Sequence, residues 1–196
     1  MKSLTAALAL LFSLSSFALE NGKPAPDFKL KSASGKELQL STFKGKIVVL
    51  EWLNHGCPFV RKHYDSNNMQ TLQKKYTSQN VVWFSVVSSA PGKQGHVDET
   101  EAKKEFTDNK SSATDVLLDP TGSVGKIYEA KTTPHMYIIN KEGTLVYQGA
   151  IDDKPDTDKT SVSIAKNYVA QALDEVIAGK KVSQATTKSY GCSVKY

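Results

Sequence analysis

Ile47-Val48-Val49-Leu50-Glu51-Trp52-Leu53-Asn54-His55-Gly56-Cys57-Pro58-Phe59-Val60 is the stretch on which the architecture turns. Its first half is a largely β-branched apolar run bounded by Gly45 and Asn54, the pattern of a central strand covered on both faces. Its second half delivers the chain to Cys57, and Pro58 suits the first position of a helix, where a missing N–H has no partner to lose. From Phe59 to about Tyr76 the apolar residues Val60, Tyr64, Met69, Leu72 and Tyr76 predict a helix with a loose middle around Asn67-Asn68. A cysteine at such a turn lies near unpaired backbone N–H groups and the positive end of a helix dipole, which lower a thiol pKa from roughly 8.5.

Working outward, Gly22 to Pro26 is a proline-punctuated lead-in, and Phe28-Lys29-Leu30 and Leu38-Gln39-Leu40 alternate as a short strand pair. Val81 to Val87 predicts a second buried strand, Glu99 to Asn109 a charged surface helix, and Val116-Leu117-Leu118 a third strand closed by Asp119-Pro120-Thr121-Gly122. Alternation of strand and helix implies parallel pairing. Met136 to Ile139 and Thr144 to Tyr147 flank Asn140-Lys141-Glu142-Gly143 as a β-hairpin. Ser161 to Ala178 carries apolar residues at spacings of three and four, an amphipathic helix ending at Gly179. Lys180 to Tyr196 has no periodicity and is expected to be an extended tail carrying Cys192. The expectation is one α/β domain over 22–179: a central mixed sheet, helices on both faces, an N-terminal strand pair and a C-terminal tail over 180–196. Trp52 and Trp83, on apolar runs, are expected in the core.

The chain has 196 residues, 39% hydrophobic and 23% charged, which suits one compact domain and excludes disorder and coiled coil. A net charge of +5 is no nucleic-acid signal here, because 24 of the 25 basic residues are scattered lysines and Arg61 is the single arginine. Met1-Lys2, an apolar run from Leu4 to Leu14 and Ser16-Phe17-Ala18 predict a signal peptide over 1–18 cleaved after Ala18. The apolar run is shorter than the roughly 20 residues that span a bilayer. The mature chain is thus expected to be exported, periplasmic or secreted, without a membrane anchor. Cys57 and Cys192 then suffice for one bridge or one redox pair.

Two residues near Cys57 bear on its chemistry: His55 as a positive charge or proton shuttle, and Arg61, four residues on, as a permanent charge on the same helix face. A strand, Cys57-Pro58, a helix, and then Thr132-Thr133-Pro134 leading into a hairpin resemble the thioredoxin superfamily. The resemblance implies a proline, Pro134, that is usually cis and shapes the site with Pro58 and Thr133 from across the sheet. Asn54 to Val60, Gly149-Ala150-Ile151-Asp152-Asp153 and Gly191-Cys192-Ser193-Val194-Lys195-Tyr196 together resemble its redoxin (AhpC/TSA) group of peroxiredoxin-like proteins. Val60 stands where a thioredoxin has its second cysteine, so exchange within the helix turn is excluded. Leu50 and Asn54 stand where typical peroxiredoxins have Pro and Thr, and no second arginine is present.

The resemblance implies a cysteine-dependent oxidoreductase that needs no cofactor and takes a small-molecule oxidant and a thiol reductant as partners. Cys57 is then expected to attack a peroxide or other small oxidant, with Asn54, His55 and Arg61 expected to polarise it. Cys192 has three readings: a resolving thiol, a structural bridge to Cys57, or a bridge to another chain. The alternative function is a non-catalytic exported binding protein, for copper or a partner chain, with Cys57 and Cys192 locked together. Cys57, His55 and His135 would be its soft metal ligands. His63 and His96 are expected at the surface, and Asp152-Asp153 is either a family motif or a solvated turn.

Overall fold

The computed structural model describes residues 19–196; the expected signal peptide lies outside the described residues. In chain order the elements are β1 (Lys29–Ser32), β2 (Glu37–Gln39), β3 (Val48–Trp52), α1 (Pro58–Asp65), α2 (Asn68–Thr77), β4 (Val82–Val87) and α3 (Glu99–Asp108). Then follow β5 (Asp115–Leu118), α4 (Ser123–Ile127), β6 (Thr132–Thr133), β7 (His135–Ile139), β8 (Leu145–Gly149), α5 (Tyr168–Ile177) and β9 (Cys192–Ser193). Seven strands form one sheet in the order β2-β1-β5-β4-β3-β7-β8. β3, β4 and β5 are parallel; β7 runs antiparallel to β3 and β8, and β1 antiparallel to β2 and β5. The mixed sheet and its strand pair are those the sequence pattern predicts.

Alternation along the strands separates two cores. Val49, Trp83, Val116, Ile138 and Tyr147 face α1, α2, α3 and α5. Val48, Leu50, Trp52, Phe84 and Tyr137 face the other way, toward Phe28, Leu40 and short α4. All of β3, β4 and β7 is buried, as the continuous apolar runs require.

The predicted helix over Phe59 to Tyr76 is instead two helices. Asn67 adopts the left-handed conformation (φ 60°) and breaks the turn between α1 and α2, a backbone state that asparagine tolerates better than most residues. The predicted helix from Ser161 also begins late. Lys159–Ile164 is a 3-10 helix capped by Asp158, and Ala165 is extended. α5 then starts behind Asn167, whose side chain caps Ala170 N–H at 2.8 Å. Ile164 therefore leaves the apolar face and is 76% exposed.

The tail is docked along its length rather than free. Thr187 Oγ1 lies 2.7 Å from the Tyr147 hydroxyl and accepts from Ala150 N–H at 2.9 Å. β9 pairs antiparallel with β6, and the Tyr196 hydroxyl donates to Ala130 O at 2.7 Å.

Three histidines are folded in a neutral form. Burial, helped by Arg61, pushes His55 down to about 4. Burial and Lys62 push His63 down to about 3, and burial with Lys131 pushes His135 down to about 4. Unfolding restores their ordinary pKa near 6.5, so the unfolded chain binds more protons below that pH, and stability falls as pH falls toward 4. Glu51 opposes this. Burial lifts it to about 7 despite hydrogen bonds from Trp83, Tyr64, Gln73 and Ser85, so its contribution is lost as pH rises from its unfolded value toward 7. Three groups outweigh one, and the urea midpoint is expected to be clearly lower at about pH 4.5 than at about pH 7.5. Equal midpoints would contradict the neutral burial of these histidines.

Candidate active site

Cys57 closes the loop after β3 and is the N-cap of α1, with Pro58 in the first turn. The residue is fully buried. The Thr133–Pro134 peptide is cis, and the Thr133 carbonyl lies 3.1 Å from Cys57 Sγ, where the protonated thiol donates to it. Cys192 reaches the same place through the β6–β9 pairing, Thr133 opposite Cys192. Its Sγ lies 2.7 Å from Cys57 Sγ, and no disulfide joins them. Contact within one chain is thus formed without the partner chain that the third reading of Cys192 invoked.

The two thiols are unequal. Burial opposes ionisation of Cys57, but the Cys192 thiol and the backbone N–H groups of Val60, Cys192 and Phe59 donate to its sulfur and bring its pKa below the ordinary value. Burial, the hydrogen bond to Cys57 and its charge push Cys192 up to about 11. The charge therefore sits on the inner sulfur, and the half-buried outer sulfur keeps its proton.

The polar neighbours singled out in the sequence are held elsewhere. Asn54 Oδ1 accepts from Gly56 N–H at 2.8 Å, and Nδ2 donates to Gln94 O at 3.1 Å. The amide braces the loop instead of presenting a free end to an oxidant. The Arg61 backbone N–H bonds Cys57 O at 2.9 Å, but its guanidinium is ion-paired with Asp65 and donates to Asn109 at 2.9 Å. The guanidinium is thus engaged by Asp65 and Asn109, and its charge is felt at His55. His55 is uncharged and packs edge-on to Tyr64, ring centroids 4.7 Å apart, so it supplies no positive charge.

His135 stacks on Tyr137 at 4.6 Å, with Nδ1 3.0 Å from the Tyr137 hydroxyl. Cys57, His55 and His135 do not converge: among the described residues no group of three His, Cys, Asp or Glu side chains is placed to hold a metal. The copper-type donor set is therefore not formed.

A second polar cluster was not foreseen. His63, expected at the surface, is fully buried, as are Lys62 and Asp152. Lys62 Nζ donates to Lys154 O at 2.6 Å and stands 3.7 Å from Asp152 Oδ1. Tyr190, two residues before Cys192, donates its hydroxyl hydrogen to Asp152 Oδ1. Its only sequence signal was the Asp152-Asp153 pair in a family-like motif, since a buried lysine is too rare to expect.

The comparisons agree with this geometry. Residues 21–148 match the model of the AhpC/TSA family. The thioredoxin-like protein YneN of Bacillus subtilis is 28% identical over 134 residues, 68% of this chain and 74% of its own length. An uncharacterised conserved protein from Geobacillus kaustophilus superposes with a TM-score of 0.77 at 25% identity, covering 91% of this chain and 93% of its own. A putative thiol:disulfide interchange protein DsbE from Chlorobium tepidum is 26% identical with a TM-score of 0.53, covering 67% of this chain and 85% of its own. The fold is thioredoxin-like.

In a pH titration of thiolate absorbance, the difference between the parent and C57S should show Cys57 ionising below the roughly 8.5 of a free cysteine. The difference between the parent and C192S should show Cys192 ionising only near about 11. The reverse order would refute the assigned polarity.

Proposed function

The chain belongs to the AhpC/TSA family, and on that premise we propose that it is an exported thiol oxidoreductase using Cys57 and Cys192 as its working pair. It passes two electrons from an external thiol reductant to a small oxidant. One observation carries the reading: sulfurs separated by 135 positions in the chain lie 2.7 Å apart, the inner one favoured as thiolate. The leader over 1–18 supports export to a compartment where a disulfide persists.

In the oxidative half, Cys57 thiolate attacks one sulfur of a substrate disulfide, whose S–S bond breaks and releases one thiolate. Cys192 loses its proton to that thiolate and attacks Cys57 Sγ, which releases the second thiolate and forms the Cys57–Cys192 bond. In the reductive half, one thiolate of an external dithiol attacks Cys192, the more exposed sulfur, and expels Cys57 as the better leaving group. The second thiol of the reductant then displaces Cys192 and leaves the reductant as a disulfide.

The contact between the thiols also favours a second reading, reduction of a peroxide. Cys57 thiolate attacks the O–O bond, an alkoxide leaves and takes a proton, and the sulfenic acid condenses with Cys192 with loss of water. Disulfide exchange is the better-supported chemistry, because Asn54 and Arg61, the groups suited to polarise an O–O bond, are bonded to other partners.

The test is stopped-flow turnover of the reduced protein against a small aromatic disulfide and against hydrogen peroxide. The disulfide should be reduced in a reaction that C57S loses by at least about a hundredfold, with peroxide consumed no faster than by an ordinary thiol. C57S turning over as fast as the parent would sink the reading. Mass spectrometry after mild reduction separates it from the non-catalytic alternative, since a purely structural bridge, with a potential below about −300 mV, should survive.

A further inference from the structure

We propose that Tyr190, seated on Asp152, Lys62 and His63, is the positioning residue that holds Cys192 against Cys57 and keeps the inner thiol covered. This rests on the reading of the two cysteines as the working pair and names what sets their approach.

All three hydrogen-bonding capacities of the Tyr190 hydroxyl are engaged by buried groups. Its hydrogen goes to Asp152 Oδ1. Its oxygen faces His63 Nε2 at 3.2 Å and Lys62 Nζ at 3.4 Å. Asn68 Nδ2 donates to His63 Nδ1 at 2.8 Å, which leaves the proton of the neutral ring on Nε2, pointing at Tyr190. Lys62 also stands 5.3 Å above the Tyr190 ring, and Phe59 lies against that ring at 5.9 Å between centroids. Asp156 Oδ1, 3.7 Å from Lys62, is the remaining charge facing the cation.

The geometry links this seat to the sulfurs through two rigid connections. Phe59, Lys62 and His63 belong to α1, the helix that Cys57 caps, so seat and inner thiol move as one body. On the other side Tyr190 is separated from Cys192 only by Gly191, at φ 137°, where a Cβ would stand 2.1 Å from Thr133 O. The tail therefore enters the β6–β9 pairing from Tyr190 by a single close-fitting step. Because Cys57 has no exposed surface, an external partner reaches it only when this segment lifts.

Y190F keeps the ring and removes the three polar contacts. Two readouts follow. The rate of Cys57 alkylation by iodoacetamide is measured in the C192S background, with and without Y190F, and should rise about tenfold or more when the hydroxyl is removed, the size of effect a lost bond to a charged group produces. In a glutathione redox buffer, the equilibrium constant for forming the Cys57–Cys192 disulfide should fall by a similar factor. Y190L serves as a second variant, with a urea midpoint recorded for each protein to confirm folding. Unchanged alkylation, or an unchanged disulfide equilibrium in a folded Y190F, overturns the proposal. If alkylation rises while neither parent nor variant forms the disulfide in the buffer, the seat stands and the working-pair reading fails instead.

Discussion

The proposed sulfur chemistry depends on one contact, Cys57 Sγ against Cys192 Sγ at 2.7 Å, held between residues 135 positions apart. The entropy of closing so long a loop grows only as the logarithm of its length. The harder condition is that both ends be stiff. The inner end is stiff because Cys57 joins a fully buried central strand to a helix whose first turn it caps. The outer end has no helix and only a two-residue strand, so its stiffness comes from a row of separate fixings. These are Thr187 on Tyr147 and Ala150, Tyr190 on Asp152, β9 on β6 and Tyr196 on Ala130. Each contributes roughly 1 kcal/mol net, and it is their number that holds the register.

Helix α1 is clamped by two buried acids. Below it Tyr64 donates to Glu51 Oε1 at 2.9 Å, joined by Gln73 of α2 at 3.1 Å and Trp83 of β4 at 2.8 Å on Oε2. Beside it Lys62 faces Asp152. An eight-residue helix is marginal by itself, and its position on the sheet is set by these side chains. The loop before it is braced in the same style, through both ends of the Asn54 amide. The surroundings of the thiol are thus polar yet rigid.

That arrangement explains what could be read from the sequence. The strands were legible because period-two and continuous apolar runs follow directly from one-sided and two-sided burial. The helix start at Cys57-Pro58 was legible from local backbone chemistry. The face of α1 was not: it buries Lys62, His63 and Tyr64 in succession, so its apolar periodicity is poor. A lysine is read as solvent-facing unless its partner is known, and Asp152 lies 90 positions away. The loose middle expected around Asn67-Asn68 is a full break at Asn67, and the late start of α5 at Asn167 was missed for another reason. In both places an asparagine overrides a pattern that continues on either side, by αL backbone in one case and by capping in the other.

Buried charge is a poor source of stability, since desolvation of both ions roughly cancels their attraction. An apolar side chain at position 190 would bury comparable area against Phe59 without that penalty. It would also tolerate sliding, because dispersion contacts are non-directional. A hydroxyl that gives one hydrogen bond and receives two from groups on a single helix and a single loop has one seat, and departure leaves Lys62, His63 and Asp152 buried with a partner missing. The same cluster therefore supplies register while the tail is down and a cost to lifting it. For a thiol with no exposed surface of its own, the height of that cost governs how often the inner sulfur meets an outside partner.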